Sequence, residues 1–153
     1  MKYFTDEKCE QNIAHTEYED YCKSIWEDLP VTLKQISEGM LPESYFVGLE
    51  TVGLHDARII DFAESSSRLC IELDTDNRGG LRKVWLTYDS SNIIVRPSEE
   101  MLGKDIDNYK SDVMCHEVEL GESGSFLHRL LFCSGEELEV QFSSIELEYK
   151  DVV

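Results

Sequence analysis

Two long stretches of this chain place an apolar residue at every second position, and that alternation restricts the fold more than anything else in the sequence. In the first stretch Leu69, Ile71 and Leu73 fall on one side and Arg68, Cys70 and Glu72 on the other. Val84, Leu86 and Tyr88 likewise oppose Lys83, Trp85 and Thr87. Successive side chains of a strand point to opposite faces, so period two marks a sheet with one buried side. Residues 54–62 and 93–95 extend the run. The links at 64–67, 74–80 and 89–92 are short and rich in Ser, Asp, Asn and Gly, which predicts hairpin-like turns and antiparallel order.

The second stretch repeats the layout without repeating the sequence. Met114, His116, Val118 and Leu120 oppose Cys115, Glu117 and Glu119. Phe126, His128, Leu130 and Phe132 oppose Leu127, Arg129, Leu131 and Cys133, and Leu138, Val140 and Phe142 oppose Glu137, Glu139 and Gln141. Ile145, Leu147 and Tyr149 follow, with Ser143-Ser144 read as a bulge that shifts the facing by one residue.

Helical spacing comes before the first stretch. Tyr18, Tyr21, Cys22, Ile25, Trp26 and Leu29 share one face of a helix over residues 16–29, with Thr16 and Glu19 placed for a capping box. Pro30 breaks it. Leu33, Ile36 and Met40 suggest a second short helix, stopped near Gly39 with Pro42 beyond. A third, over residues 98–110, would be capped by Ser98 and anchored by Met101, Leu102 and Ile106. The expected fold is therefore α+β, with about two N-terminal helices packed on a mostly antiparallel sheet of about seven to eight strands. At 153 residues one domain is expected, with a helical segment at 1–42, a first β run at 43–97 and a second at 98–153.

Charge narrows the partners. The chain carries 14 basic and 32 acidic residues, a net −18. Residues 98–153 hold 14 of the acids and 4 of the bases. Such a field repels phosphate backbones and anionic membranes and speeds encounter with a basic protein. Five cysteines without a Cys-x-x-Cys spacing argue against a disulfide framework and a zinc knuckle, and point to reduced thiols. Residues 1–7 have no apolar signal core, and no apolar run approaches the roughly 20 residues that span a bilayer. A soluble, cytoplasmic protein is expected, with no nucleic acid and no membrane as partner and no cofactor.

The candidate chemistry is thin. His55-Asp56 is the most inviting pair, because adjacent His and Asp ligate metal in the helical HD phosphohydrolases. Those enzymes need further His and Asp on neighbouring helices. Here the pair precedes a strand, where its two side chains diverge, and the other histidines, His15, His116 and His128, lack matching spacing. Asp74–Gly79 departs from a calcium loop at Arg78 and Trp85. His116 and His128, on apolar faces of adjacent strands, can face each other in a hairpin, where two histidines can bind metal; a third ligand is not evident, and most such histidines are satisfied core or edge residues. No Ser, Cys or glycine-rich loop has a nucleophile or phosphate-binding context. What stands out is a face bearing Glu117, Glu119, Glu137, Glu139, Glu146 and Glu148 at strand spacing. That face is either a solvated surface that guards edge strands or a surface for a basic partner.

The opening Met1-Lys2-Tyr3-Phe4-Thr5, the polar helical segment, the Leu29-Pro30 break and Leu54-His55-Asp56 leading into hairpins resemble an uncharacterised family of short bacterial proteins. Related small domains with this His-Asp feature are similar to immunity proteins of bacterial toxin systems. The resemblance implies an α+β fold and neutralisation of a protein toxin, and it carries over no catalytic residue. The leading expectation is a non-enzymatic acidic module that binds a basic partner through those six glutamates. The alternatives are a metal-dependent hydrolase using His55 and Asp56, and a homo-oligomeric scaffold.

Overall fold

The apolar stripe around Tyr18 begins one turn earlier than its aromatic members suggest. In the computed structural model, which describes residues 1–77, 80–102 and 109–152, α1 spans Asp6–Glu10 and α2 spans Ala14–Ile25. Ala14 is buried and continues the row of Tyr18, Cys22 and Ile25. The expected Thr16 capping box does not form. The preceding residue, Ile13, has no side-chain cap, and its carbonyl accepts from Glu17 N at 3.0 Å. Capping falls instead to Thr5, whose hydroxyl accepts from Lys8 N at the head of α1. After Ile25 the chain tightens into a 3-10 turn over Trp26–Asp28, and Leu29 turns extended ahead of Pro30. α3 then spans Val31–Gln35. Gly39, at φ +85°, supplies the left-handed step beyond it.

The chain divides into two compact units, Met1–Gly53 and Leu54–Val153. The first is helical. Its buried apolar residues include Tyr18, Cys22, Ile25, Trp26, Leu29, Leu33 and Ile36. Trp26 stands edge-on to Tyr45 and Phe46.

Among the described residues the second unit holds eight strands: β1 (Arg58–Ser65), β2 (Arg68–Asn77), β3 (Gly80–Asp89), β4 (Asn92–Val95), β5 (Val113–Leu120), β6 (Phe126–Phe132), β7 (Glu137–Phe142) and β8 (Ser144–Val152). All pairings are antiparallel. The protein is thus a mixed α and β fold made mostly of sheet. The strands form two four-stranded sheets rather than one, in the orders β1-β2-β3-β8 and β4-β7-β6-β5.

The reason lies at two serine corners. Ser90, at φ +52°, turns the chain out of β3, so β4 does not fold back on β3 as a hairpin but leaves for the other sheet and pairs with β7. Ser143 sits where β7 passes into β8, donating from both N and Oγ to the Asp89 carbonyl. The shift of facing at Ser143-Ser144 is therefore a change of sheet and not a bulge. A sheet apolar on one side must be covered, and here the inner faces cover each other. Leu69, Ile71, Leu73, Val84, Leu86 and Tyr88 line one, and Leu130, Phe132, Leu138, Val140 and Phe142 line the other. Each such burial is worth about 1.5–3 kcal/mol. Tyr88 meets Phe142 across the gap at 5.0 Å between ring centroids.

The first residues of β1 and β5 also meet. Val113 N donates to Ala57 O at 2.7 Å, Asp56 N donates to Val113 O at 2.8 Å, and Arg58 bridges Asp112 through backbone and guanidinium alike. At residues 98–110 a 3-10 turn covers Glu99–Leu102, and 103–108, with Ile106, lie outside the described residues. Ser98 does not serve as a side-chain cap there, since its N and Oγ both donate to the Glu136 carboxylate. In the faint calcium loop Asp74, Thr75 and Asp76 belong to β2, while Arg78 and Gly79 fall outside the described residues.

Candidate functional site

The six glutamates singled out in the sequence separate into two groups. On the outer face of β5-β6-β7, register places Arg129 opposite Glu117 on one neighbour and opposite Glu139 on the other. The guanidinium reaches Glu119 at 2.7 Å, Glu139 at 3.0 Å and Glu117 at 3.6 Å. The Glu117 side chain is fully buried, and those of Arg129, Glu119 and Glu139 are 12%, 14% and 19% exposed. These three carboxylates therefore form an internal ion cluster rather than an open acidic patch. Burial opposes the charge on Arg129, but hydrogen bonding and attraction from the carboxylates prevail and raise its pKa. Glu137 is half-buried on the same strand as Glu139.

The second group is Glu146 and Glu148 on β8. Both are exposed. Register sets Glu148 beside Trp85 and Glu146 beside Thr87, and continues the first row to Glu72 on β2. Among the described residues no cation stands within ion-pair distance of Glu146 or Glu148.

His55 and Asp56 do not open a strand. They form an exposed turn ahead of β1, with Asp56 at φ +62°. Their side chains are 73% and 74% exposed and 3.6 Å apart, and His55 Nδ1 lies 2.8 Å from the Met114 carbonyl. No group of three or more His, Cys, Asp or Glu that could hold a metal ion is found among the described residues. The turn is thus held by backbone contact with β5.

No family model, curated protein or solved structure matches this chain.

The alternation of β5 and β6 placed His116 and His128 together, and they do meet: His116 Nδ1 lies 3.0 Å from His128 Nε2. A third member had no signal in the sequence. The Tyr88 hydroxyl, from the other sheet, lies 2.7 Å from His128 Nδ1. Donation can run consistently from Tyr88 to His128 to His116, leaving each hydrogen bond with one proton. Burial keeps all three uncharged. It lowers His116 to about 4, with His55 adding to the effect, lowers His128 well below the usual range with help from His116, and raises the Tyr88 hydroxyl. At 2% exposure or less, this chain offers no face to a substrate. It is a polar pin between the sheets rather than an acid–base site.

A shallow depression is lined by Phe62, Glu64, Arg96, Pro97 and Glu99. Its cation is already engaged, since Arg96 pairs with Glu64 and lies over the Phe62 ring.

Proposed function

We propose that this protein is a non-enzymatic module that binds a basic protein partner in the cytoplasm, as a bacterial toxin-immunity protein binds its toxin. One observation carries the reading. The described arginines, Arg58, Arg68, Arg82, Arg96 and Arg129, each already answer a carboxylate within the chain, while Glu148, beside Trp85, and Glu146, beside Thr87, stand exposed with no cation at ion-pair distance among the described residues. Part of the chain's excess negative charge thus faces outward on β8, and the rest is spread over exposed acids such as Glu7, Glu27, Glu43 and Glu100. A basic partner would be steered by the −18 field and would find carboxylates that need not leave an existing pair. Five free thiols suit a reducing compartment. No described helix is long and apolar enough to cross a membrane.

The test is recovery of the tagged chain from its source cells, identification of what travels with it, and reconstitution from the two purified components. The expected partner has net positive charge, binds more weakly as salt rises, and arrests growth unless this chain is co-expressed. A partner of net negative charge, or an association indifferent to salt, would overturn the reading.

A further inference from the structure

Each of the two sheets has two edge strands, and three of the four are blunted. β1 carries an extra residue between Ile59 and Asp61, β4 between Ile93 and Val95, and β5 between Val113 and Cys115. Bulges of this kind bend an edge away from any strand that might add to it. β1 and β5 are further tied to one another at their first residues. β8 differs. It pairs with β3 in nine consecutive partners, from Leu81↔Val152 to Asp89↔Ser144, with no shift of register. It is last in its sheet, and β3 is its one strand partner among the described residues.

We propose that the segment of β8 from Ser144 to Glu148 is a docking edge for an extended strand of the basic partner, one that alternates Lys or Arg with apolar residues. The inference rests on the function proposed above and names the surface and the partner's pattern. An added strand would draw its register from the pleat. On the outer face its side chains would stand opposite Glu146 and Glu148, which are exposed and have no cation at ion-pair distance among the described residues. On the inner face they would stand beside Ile145, which is 7% exposed, and the half-buried Leu147. Opposite charges directly across a strand pair stabilise it and like charges oppose it, so the outer positions select for cations. A second copy of this chain is the poorer occupant, because two chains of −18 repel and a β8–β8 pairing centred on Leu147 sets Glu146 against Glu148.

The probe is a nine-residue peptide alternating lysine and valine. It is compared with the same peptide methylated on alternate backbone nitrogens, which keeps every charge and loses the strand's hydrogen bonds. Binding is read by calorimetry at low salt, and β8 by amide hydrogen exchange in the full chain. The proposal expects the parent peptide to bind and to slow exchange of amides between Ser144 and Glu148. The methylated peptide should bind at least about tenfold more weakly, as should the parent peptide to the Glu146→Lys/Glu148→Lys variant. Equal binding of both peptides with no protection of β8 would overturn the docking edge and leave the acidic reading standing. Failure of both peptides to bind would count against both. The methylated peptide keeps the test sound even if the double variant folds poorly.

Discussion

Two uncharged imidazoles and a phenol close the gap between the sheets, and they make stability depend on pH in a definite direction. An unfolded histidine takes up a proton near its ordinary value of 6.5, whereas folded His116 does so only at about 4. Between those values the unfolded chain binds more protons, so acid favours unfolding. Stability is fully present above about pH 6.5 and is lost as pH falls toward 4, by about 3 kcal/mol from His116 alone. Melting temperature measured across that window should fall with acid, and the triple variant Tyr88→Phe/His116→Leu/His128→Leu should flatten the fall. Tyr88→Phe by itself strands a buried ring nitrogen and should cost about 1–3 kcal/mol in urea unfolding at pH 7. The meeting of His116 with His128 was legible, because strand parity puts both on one face of a hairpin. Tyr88 was not, because alternation says which face a residue takes and nothing about which sheet lies opposite. The start of β1 was misplaced at Leu54 rather than Arg58 for a related reason. A left-handed turn and a strand start look alike when the residue carrying the positive φ is an aspartate.

At the level of strands, Arg129 is the residue on which three neighbours depend. It spans β5, β6 and β7 and neutralises a carboxylate that has no access to water. Arg129→Met should destabilise by about 3–5 kcal/mol, since it leaves three carboxylates gathered at a largely buried site without the guanidinium they share. Adding Glu117→Gln should restore part of the loss, and urea midpoints of the single and double variants would show it. If Arg129→Met unfolds at the wild-type midpoint, the cluster contributes nothing. Strand positions and antiparallel order could be read from the sequence because side-chain period and turn composition are local properties. The corners at Ser90 and Ser143 could not. A bulge, a tight turn and a change of sheet all present the same short polar break with a shift of facing, and only the distant partner, β7 for β4 and β3 for β8, separates them. The same limit applied to the glutamates. All six lay at outward strand positions, but the pairing of Arg129 with both neighbours removed three of them from the surface.

For the molecule as a whole, a net charge of −18 is a standing self-repulsion that salt relieves. Melting temperature should rise as salt increases from about 10 to about 150 mM, where the screening length falls to about 8 Å. The same salt should weaken any association that the acidic field drives, and this opposition of effects separates a binding surface from a merely solvated one. The most direct measurement is the affinity of the purified chain for the basic partner recovered with it, at low and at physiological salt. It should be made for the wild type, for Glu146→Lys/Glu148→Lys and for His55→Ala/Asp56→Ala. The account predicts that salt weakens binding steeply, that the glutamate reversals abolish most of what remains, and that the His55/Asp56 variant binds as the wild type does. Affinity unmoved by salt and by the two glutamates, but lost with His55 and Asp56, would contradict it.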